Sequence, residues 1–283
     1  MSHTSSPLVD PAWLAARLGQ TDLLIFDATY YLPNEGRDAV AVFTDQHIPG
    51  AHFFDVDDFA DPAETSLPHM VPSPAAAREL LRELGLNRRS QVVVYDQKGT
   101  FSAPRAWFLL KLFGHDQVSV LDGGLPAWRA AQHPTATGSP TAQPHGDFEP
   151  RYRPRLLRGF GDLLDNIAGG NELVLDARPP ARFNATAPEP RPGVRGGHIP
   201  GSRNLPFGEL LDPQSAFKPP GELRRILAQS GVDGSRAVIT SCGSGISAAV
   251  LTLAMVVAGL PMGAIYDGSW SEWGSRSDAP IET

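Results

Sequence analysis

The chain has 283 residues, a formal net charge of -7 and a single cysteine, Cys242. This length favours two domains, each large enough to bury its own core. The acidic balance argues against a nucleic-acid or anionic-membrane surface, and one cysteine excludes an intramolecular disulfide. The longest apolar run, AAVLTLAMVVAGL, is too short to cross a bilayer, and the first residues lack the features of a secretory signal, so we expect a cytoplasmic protein.

The predicted elements alternate between short apolar strands and helices along the chain. The first half gives the strand LLIFD (23–27), the helix SPAAARELLRELG (73–85), the strand VVVYD (92–96), the helix SAPRAWFLLKLFG (102–114) and the strand VSVLD (118–122). The second half gives the strand LVLD (173–176), the helix GELRRILAQSG (221–231), the strand AVIT (237–240), a helix over 247–259 and the strand AIYD (264–267). This alternation predicts an α/β fold in which helices flank a parallel sheet, and the apolar strands suit burial on both faces.

Four segments occur twice in the same order, which indicates a duplicated domain. The pairs are LLIFDATYYLP with LVLDARPPARF, HIPGAHFFDV with HIPGSRNLPF, VVVYDQKGTFSAPRAW with AVITSCGSGISAAV, and VSVLDGGLPAW with GAIYDGSWSEW. The residues between the copies are rich in Pro, Gly, Ser and Thr, as linkers are. We therefore predict an N-terminal domain over residues 1–135, a linker over 136–156 and a C-terminal domain over 157–283.

The two copies differ at the end of one strand. Cys242 directly follows AVITS, and Asp96 stands at the aligned position of the first copy. Ligands of parallel sheets bind beyond the carboxyl ends of the strands. A thiol in one copy alone predicts a catalytic C-terminal domain and a non-catalytic N-terminal domain. His47 and His198 occur in both copies, so we interpret both as structural.

The loop after Cys242 consists of small residues that leave backbone N–H groups exposed. Gly243, Ser244 and Gly245 precede a predicted helix, and glycine has no Cβ to obstruct an approaching ligand. Converging N–H groups at a helix N-terminus attract anions and favour the reactive thiolate form of a cysteine. The alternative interpretation is an inert buried cysteine.

Two other kinds of site share parts of this pattern. GSGISA fits the dinucleotide-binding fingerprint, with Asp267 downstream, but that fingerprint normally opens its domain and here lies near the end of the chain. A cysteine-dependent phosphatase carries an arginine where this chain has Ala248, and phosphate chemistry needs that guanidinium. We expect no cofactor, and no Cys or His spacing indicates a metal site.

These motifs together resemble the rhodanese superfamily. The resemblance is carried by the two-copy layout, the repeated HIPG, the elements DGGLPAW and DGSWSEW, and the loop CGSG. More narrowly, CGSGIS is similar to the CGSGVT loop of the 3-mercaptopyruvate sulfurtransferases, from which Ile246 and Ser247 are conservative departures. Thiosulfate sulfurtransferases carry two basic residues after the cysteine, as in CRKGVT. The resemblance implies two tandem rhodanese-like domains.

The resemblance also implies roles for particular residues. The catalytic relay of the family maps onto Cys242, Ser244, His69 and Asp57, with Asp55 and Asp58 as alternatives to Asp57. Two arginines that hold the substrate map onto Arg182 and Arg191, and Arg178 and Arg195 lie close by as alternatives. The remaining loop residues, which would cradle the transferred sulfur, are Gly243, Gly245, Ile246 and Ser247.

The implied function is transfer of sulfane sulfur from 3-mercaptopyruvate, through a Cys242 persulfide, to a thiol such as thioredoxin or to cyanide, with release of pyruvate. One alternative is a thiosulfate:cyanide sulfurtransferase, which the missing basic pair after Cys242 argues against. A second alternative, from another class, is a non-catalytic rhodanese-like anion-binding module, which the retained thiol argues against.

Overall fold

The computed structural model describes residues 6–139 and 144–283. Residues 1–5, at the predicted N-terminal segment, and 140–143, inside the predicted linker, lie outside the described residues. The described chain forms two compact units. The first takes in the described residues up to Asp61, those of Val71–Arg153, and Pro213–Ala216; the second takes in Pro62–Met70, Pro154–Asp212 and Phe217–Thr283. Each unit therefore includes a short segment from the other half of the sequence.

Each unit is built on a five-stranded parallel sheet, and the two sheets have the same strand order. The first sheet contains β1 (Leu8–Val9), β2 (Leu23–Asp27), β3 (Ala51–Phe53), β4 (Gln91–Tyr95) and β5 (Val118–Leu121). The second contains β6 (Leu157–Arg158), β7 (Glu172–Asp176), β8 (Arg203–Asn204), β9 (Ala237–Ser241) and β10 (Ala264–Tyr266). The orders are β1-β5-β4-β2-β3 and β6-β10-β9-β7-β8, and every pairing is parallel. The prediction of duplicated α/β domains is confirmed.

Helices accompany the strands in both units. The first unit has α1 (Pro11–Ala15), α2 (Ala39–Asp45), α3 (Pro74–Glu83), α4 (Ala103–Leu112) and α5 (Gly124–Ala130). The second has α6 (Phe160–Gly169), α7 (Pro180–Phe183), α8 (Pro220–Gln229), α9 (Ala248–Val257) and α10 (Ser269–Trp273). Short 3-10 turns lie at Pro33–Glu35, Pro154–Leu156 and Phe207–Leu210. Among the described helices, none is long and apolar enough to cross a membrane.

The helix that follows the central strand is buried in each unit. Nearly every residue of α4 and of α9 is buried, which explains why neither helix confines its apolar residues to one stripe. In contrast, α3 and α8 bury one face and carry charged residues on the other. The burial of β4 and β9 between helices fixes the position of the loop that leaves each strand, and in the second unit this loop contains Cys242.

Candidate active site

Cys242 lies at the carboxyl end of β9, where the chain turns toward α9. The cysteine residue is 2 % exposed. Its carbonyl oxygen accepts a hydrogen bond from the Trp270 N–H at 2.9 Å, and its own N–H donates to Ser269 Oγ at 3.4 Å. Ser269 adopts a φ of 48°, in the left-handed region, and its hydroxyl also donates to the Tyr266 carbonyl at 2.9 Å. The start of α10 therefore holds the backbone of the cysteine in place.

The loop from Gly243 to Ser247 presents backbone N–H groups that have no acceptor within the described residues. Gly245 turns the loop with a φ of 80°, a conformation that side chains disfavour. Ile246 is buried, and its carbonyl accepts from the Ala249 N–H at 3.1 Å, so the loop passes directly into α9. N–H groups left open at a helix N-terminus carry partial positive charge. The loop is therefore prepared for an anion beside the thiol.

Gly243 permits an arginine to approach the same loop. A Cβ added at Gly243 would lie 3.2 Å from Arg182 Nη2, which is a tight contact. On its other side, the Gly243 carbonyl accepts hydrogen bonds from Ser271, at 2.9 Å from the N–H and 2.6 Å from Oγ. The loop backbone is thus fixed, and the Arg182 guanidinium lies where a side chain on the residue after Cys242 would otherwise stand.

Arg182 belongs to a chain of charged side chains at the end of β7. Glu189, whose side chain is 3 % exposed, accepts from Arg182 Nε at 3.2 Å and from its Nη2. The same carboxylate accepts from Arg178 Nη1 at 2.7 Å, and Arg178 also binds Asp176. Two carboxylates thus neutralise two guanidinium groups in a buried setting, as buried charge requires. Arg182 Nη1 has no hydrogen-bond partner among the described residues and remains available for a ligand.

The alternative substrate arginines serve the scaffold. Arg178 is almost fully buried, and its guanidinium stacks on Trp270 with 4.3 Å between Cζ and the ring centroid. Arg195 donates to the carbonyl oxygens of Gly274 and Ala279, both at 3.1 Å, and so fastens the C-terminal segment. Both guanidinium groups are committed to internal contacts, which leaves Arg182 as the arginine beside the loop.

Arg191 lies on the loop that follows α7. It lines a cavity of about 600 Å³ formed by residues 185–196, which Glu189 also lines. Within the described residues, Arg191 makes no ion pair or side-chain hydrogen bond. Its guanidinium is therefore available to a ligand.

His69 belongs to the short segment, 62–70, that clusters with the second unit. The residue is buried, adopts a left-handed φ of 60°, and places Nδ1 3.3 Å from the carbonyl oxygen of Ser244. This contact reaches the Ser244 backbone, whereas the expected relay runs through the Ser244 hydroxyl. The structure thus brings His69 and Ser244 together at the Cys242 loop.

The three aspartates considered for the relay lie in the first unit and form one turn. Asp55 is half-buried, and its Oδ1 accepts the N–H groups of Asp57 at 2.8 Å and Asp58 at 3.4 Å. Burial raises the pKa of the Asp55 carboxyl, while these hydrogen bonds oppose the shift. Asp57 and Asp58 are exposed. The described residues contain no cluster of three or more His, Cys, Asp or Glu side chains able to hold a metal ion.

The aligned loop in the first unit already holds an anion of its own. Asp96 is fully buried, and its Oδ2 accepts three backbone N–H groups, from Phe101, Ser102 and Ala103, at 2.8 to 2.9 Å. Its Oδ1 accepts the Lys98 N–H at 2.9 Å. The carboxylate thus occupies the same kind of N–H cradle that the Cys242 loop leaves open.

Sequence reasoning missed several residues that build the site. Glu189, which orients Arg182, is one acidic residue in a Pro-rich loop and has no pattern around it. Trp270 and Ser271, which hold the Cys242 and Gly243 carbonyls, carried a usable signal, because the DG-x-x-x-x-W element is repeated in both halves. In the first unit the corresponding Leu125 N–H donates to the Asp96 carbonyl at 3.0 Å. The repeated element therefore braces the strand-end loop in each copy.

Known proteins resemble this chain over nearly its whole length. The rhodanese-like domain model matches residues 10–131 and 160–276. A 3-mercaptopyruvate sulfurtransferase of Escherichia coli K12 is 41% identical over 271 residues, covering 95% of each chain. The mitochondrial thiosulfate/3-mercaptopyruvate sulfurtransferase 1 of Arabidopsis thaliana is 38% identical over 300 residues, covering 99% of this chain and 79% of the relative.

A solved structure extends the comparison to three dimensions. The crystal structure of SseA from Escherichia coli, described as a 3-mercaptopyruvate sulfotransferase with the rhodanese fold, superposes with a TM-score of 0.85 at 37% identity. The match covers 94% of this chain and 99% of that one. The chain belongs to the rhodanese family, as a two-domain sulfurtransferase of the group that includes the 3-mercaptopyruvate and thiosulfate enzymes.

Proposed function

We propose that this sulfurtransferase takes its sulfur from 3-mercaptopyruvate, carries it as a persulfide on Cys242, and passes it to an external thiol or to cyanide. The observation that carries the choice of donor is the proximity of Arg182 to Gly243. A basic residue at position 243, as in the thiosulfate enzymes, would crowd the Arg182 guanidinium and repel it. With glycine there, the positive charge beside the thiol comes from the Arg182 fork instead.

A guanidinium fork suits mercaptopyruvate better than thiosulfate. Mercaptopyruvate bears its charge on a planar carboxylate several bonds away from its sulfur, and a planar fork binds a carboxylate with two parallel hydrogen bonds. Thiosulfate is a compact dianion whose charge lies close to the transferred sulfur. Glu189 accepts hydrogen bonds from Nε and Nη2 of Arg182, which leaves Nη1 for the substrate. Arg191 is the second arginine we assign to the substrate.

In the first step, the Cys242 thiolate attacks the sulfur of mercaptopyruvate. A sulfur–sulfur bond forms, the carbon–sulfur bond breaks, and its electron pair leaves with pyruvate as the enolate. The N–H groups of the loop from Gly243 to Ser247 stabilise the negative charge on the resulting persulfide. The loop needs no rearrangement for this, because those N–H groups have no acceptor among the described residues.

The departing enolate must gain a proton to become pyruvate. We assign this transfer to Ser244, with His69 and Asp57 behind it. The support is the burial of His69 against the Ser244 backbone, with 3.3 Å between Nδ1 and the carbonyl oxygen.

In the second step, an acceptor thiolate or cyanide attacks the outer sulfur of the persulfide. The acceptor leaves as a persulfide or as thiocyanate, and the Cys242 thiolate is regenerated. The chain contains no second cysteine, so the acceptor thiol must come from another molecule, such as thioredoxin or a small thiol.

The test is a steady-state assay with cyanide as acceptor and with each donor in turn. Wild type should show a far higher kcat/KM with mercaptopyruvate, and Cys242→Ala should be inactive with both donors. Arg182→Ala should lower kcat/KM for mercaptopyruvate by about 100-fold, the value of a charged hydrogen-bond pair, and affect thiosulfate less. The matched control is Arg225→Ala, on the exposed face of α8, which should change neither.

Three outcomes would decide against parts of the proposal. A higher kcat/KM with thiosulfate in wild type would replace the donor with thiosulfate. An equal loss for both donors in Arg182→Ala would remove Arg182 from carboxylate recognition. Absence of turnover with either donor would favour a non-catalytic anion-binding module.

A further inference from the structure

The first unit contains a cavity of about 660 Å³ that the sulfur-transfer chemistry does not use. It lies near the carboxyl end of β4, where Gln97 leaves the strand, and is lined by the loop after β2, by α2 and by α5. The side chains that bear on its chemistry are Tyr31, Arg37, Asp45, Gln97 and Arg129. Its volume falls in the range of small-molecule sites.

Two arginines line the cavity, and Glu35 interacts electrostatically with one of them, Arg37. Arg37 and Arg129 are exposed, and within the described residues neither makes an ion pair or a side-chain hydrogen bond. Asp45 is the acidic residue among those that line the cavity, so the lining has an excess of positive charge. Arg37 is held in position by stacking, with 4.4 Å between its Cζ and the centroid of the Tyr31 ring.

Tyr31 supplies a polar group that faces this space without a protein partner. The residue is 7 % exposed, yet its hydroxyl makes no hydrogen bond within the described part of the chain. The hydroxyl is thus open to a ligand in the cavity. Burial raises the pKa of this hydroxyl further above 10, although Arg37 opposes the shift, so at neutral pH it stays protonated and able to donate.

Gln97 makes the wall of the cavity rigid. Its Nε2 donates to Asp27 Oδ2 at 3.1 Å and to the Gln46 carbonyl at 2.7 Å, and its backbone N–H donates to Thr29 Oγ1 at 2.9 Å. These bonds fasten the loop after β4 to the end of β2 and to α2. The cavity is therefore formed before any ligand arrives, which lowers the entropic cost of binding.

From these contacts we infer that the cavity binds a small organic carboxylate, at a site separate from the thiol in the second unit. Guanidinium groups from the loop after β2 and from α5 would take the carboxylate oxygens, and the Tyr31 hydroxyl would donate a third hydrogen bond. Planar carboxylates match the arginine fork, and charge-assisted hydrogen bonds of this kind are the strong ones. A cavity of this size has room for an acid with one or two carboxylates.

The experiment is calorimetric titration of the full-length protein with succinate and with pyruvate. We expect saturable binding of at least one acid, weakened about 10- to 100-fold by Arg37→Ala or Arg129→Ala and about 3- to 10-fold by Tyr31→Phe. Asp45→Asn should tighten binding, because it removes a repelling carboxylate. Arg89→Ala, an equal charge change at the exposed turn before β4, is the matched control and should have no effect.

A titration of a second variant distinguishes binding at this cavity from binding at the catalytic site. The titration is repeated with Arg182→Ala, which should leave binding at the cavity intact whether or not the proposed donor is correct. Binding that disappears in Arg182→Ala but persists in Arg37→Ala would overturn the inference. So would the absence of saturable heat with both acids, or equal and competitive binding of sulfate, which lacks the planar geometry.

Discussion

The loops that leave β4 and β9 have the same place in their sheets and opposite contents. In the first unit, the Asp96 carboxylate fills its cradle of backbone N–H groups with a covalently attached anion. In the second, Cys242 takes that position and the N–H groups of the following loop find no acceptor among the described residues. In the proposed mechanism, catalysis therefore depends on a cradle of N–H groups that stays open until the transferred sulfur occupies it.

Both loops are also met by a segment from the other half of the sequence. His69 packs on the Cys242 loop, and Ser215 packs on the Asp96 loop at Gly99, where a Cβ would overlap the Ser215 side chain. Both residues adopt left-handed φ angles, 60° and 62°. Ser215 stands as far along the chain from His69 as Cys242 stands from Asp96. The duplication therefore kept the supporting segment in both units, with a titratable side chain in one of them.

The largest effect is expected when the aspartate of the first loop is placed at position 242 of the second. Cys242→Asp should abolish turnover and persulfide formation, because no nucleophilic sulfur remains. It should nevertheless unfold at a higher temperature than Cys242→Ala, with a free energy of unfolding greater by about 1.5–3 kcal/mol. The reason is that the carboxylate would accept hydrogen bonds from the open N–H groups. The measurements are persulfide detection by mass spectrometry and thermal unfolding.

Cys242→Asn is the control for this exchange, because it has a similar shape without the charge. If Cys242→Asp is no more stable than Cys242→Asn and Cys242→Ala, the loop is not prepared for an anion, and the persulfide must be stabilised in another way.

The reverse change empties the first cradle. Asp96→Ala leaves four backbone N–H groups, two of them buried and two partly buried, without their acceptor and should lower the free energy of unfolding by about 3–5 kcal/mol. Asp96→Asn retains an acceptor oxygen and should cost clearly less. Urea unfolding of the three proteins gives these values, and a loss equal in both variants would show that the carboxylate charge does not hold the loop.

The residue after the anion is the next point of difference, since Gln97 follows Asp96 and Gly243 follows Cys242. Gly243→Lys should lower kcat/KM for mercaptopyruvate by roughly 10- to 100-fold, because the new cation repels Arg182, and should raise it for thiosulfate. Gly243→Ala adds the Cβ without the charge and separates crowding from repulsion. If Gly243→Ala reproduces the whole effect, charge at this position does not select the donor.

The central strands and the long helices could be predicted from the sequence, and the site only in part. LLIFD and VVVYD are apolar up to their final aspartate because both faces of the sheet are covered, and that pattern is visible without a structure. The two-residue strands Leu8–Val9 and Arg203–Asn204 are too short to show any period. Glu189 could not be found, because its role depends on how its loop folds back onto Arg182. The open N–H cradle could be anticipated, since small residues beside a helix start permit it.

The smallest expected effect concerns Asp27 and Asp176, which end the strands β2 and β7. Asp176 binds the Arg178 guanidinium, whereas Asp27 has Thr29, Gln97 and Tyr95 around it and no cation from the described part of the chain. Burial therefore raises the pKa of Asp27 to about 6 from 3.8. Between these two pKa values the folded protein binds the proton more tightly than the unfolded chain does. The free energy of unfolding therefore increases as the pH falls from about 6 toward 3.8.

For Asp27 alone, the free energy of unfolding should be about 1.4 kcal/mol greater at pH 5 than at pH 7.5. Other groups titrate in the same range, so the quantity to measure is the difference between wild type and Asp27→Asn in urea unfolding at both pH values. The free energy of unfolding of wild type should increase relative to that of Asp27→Asn as the pH is lowered. A constant difference would mean that Asp27 stays ionised when folded, and that the first unit tolerates a buried carboxylate without the arginine that its counterpart in the second unit has.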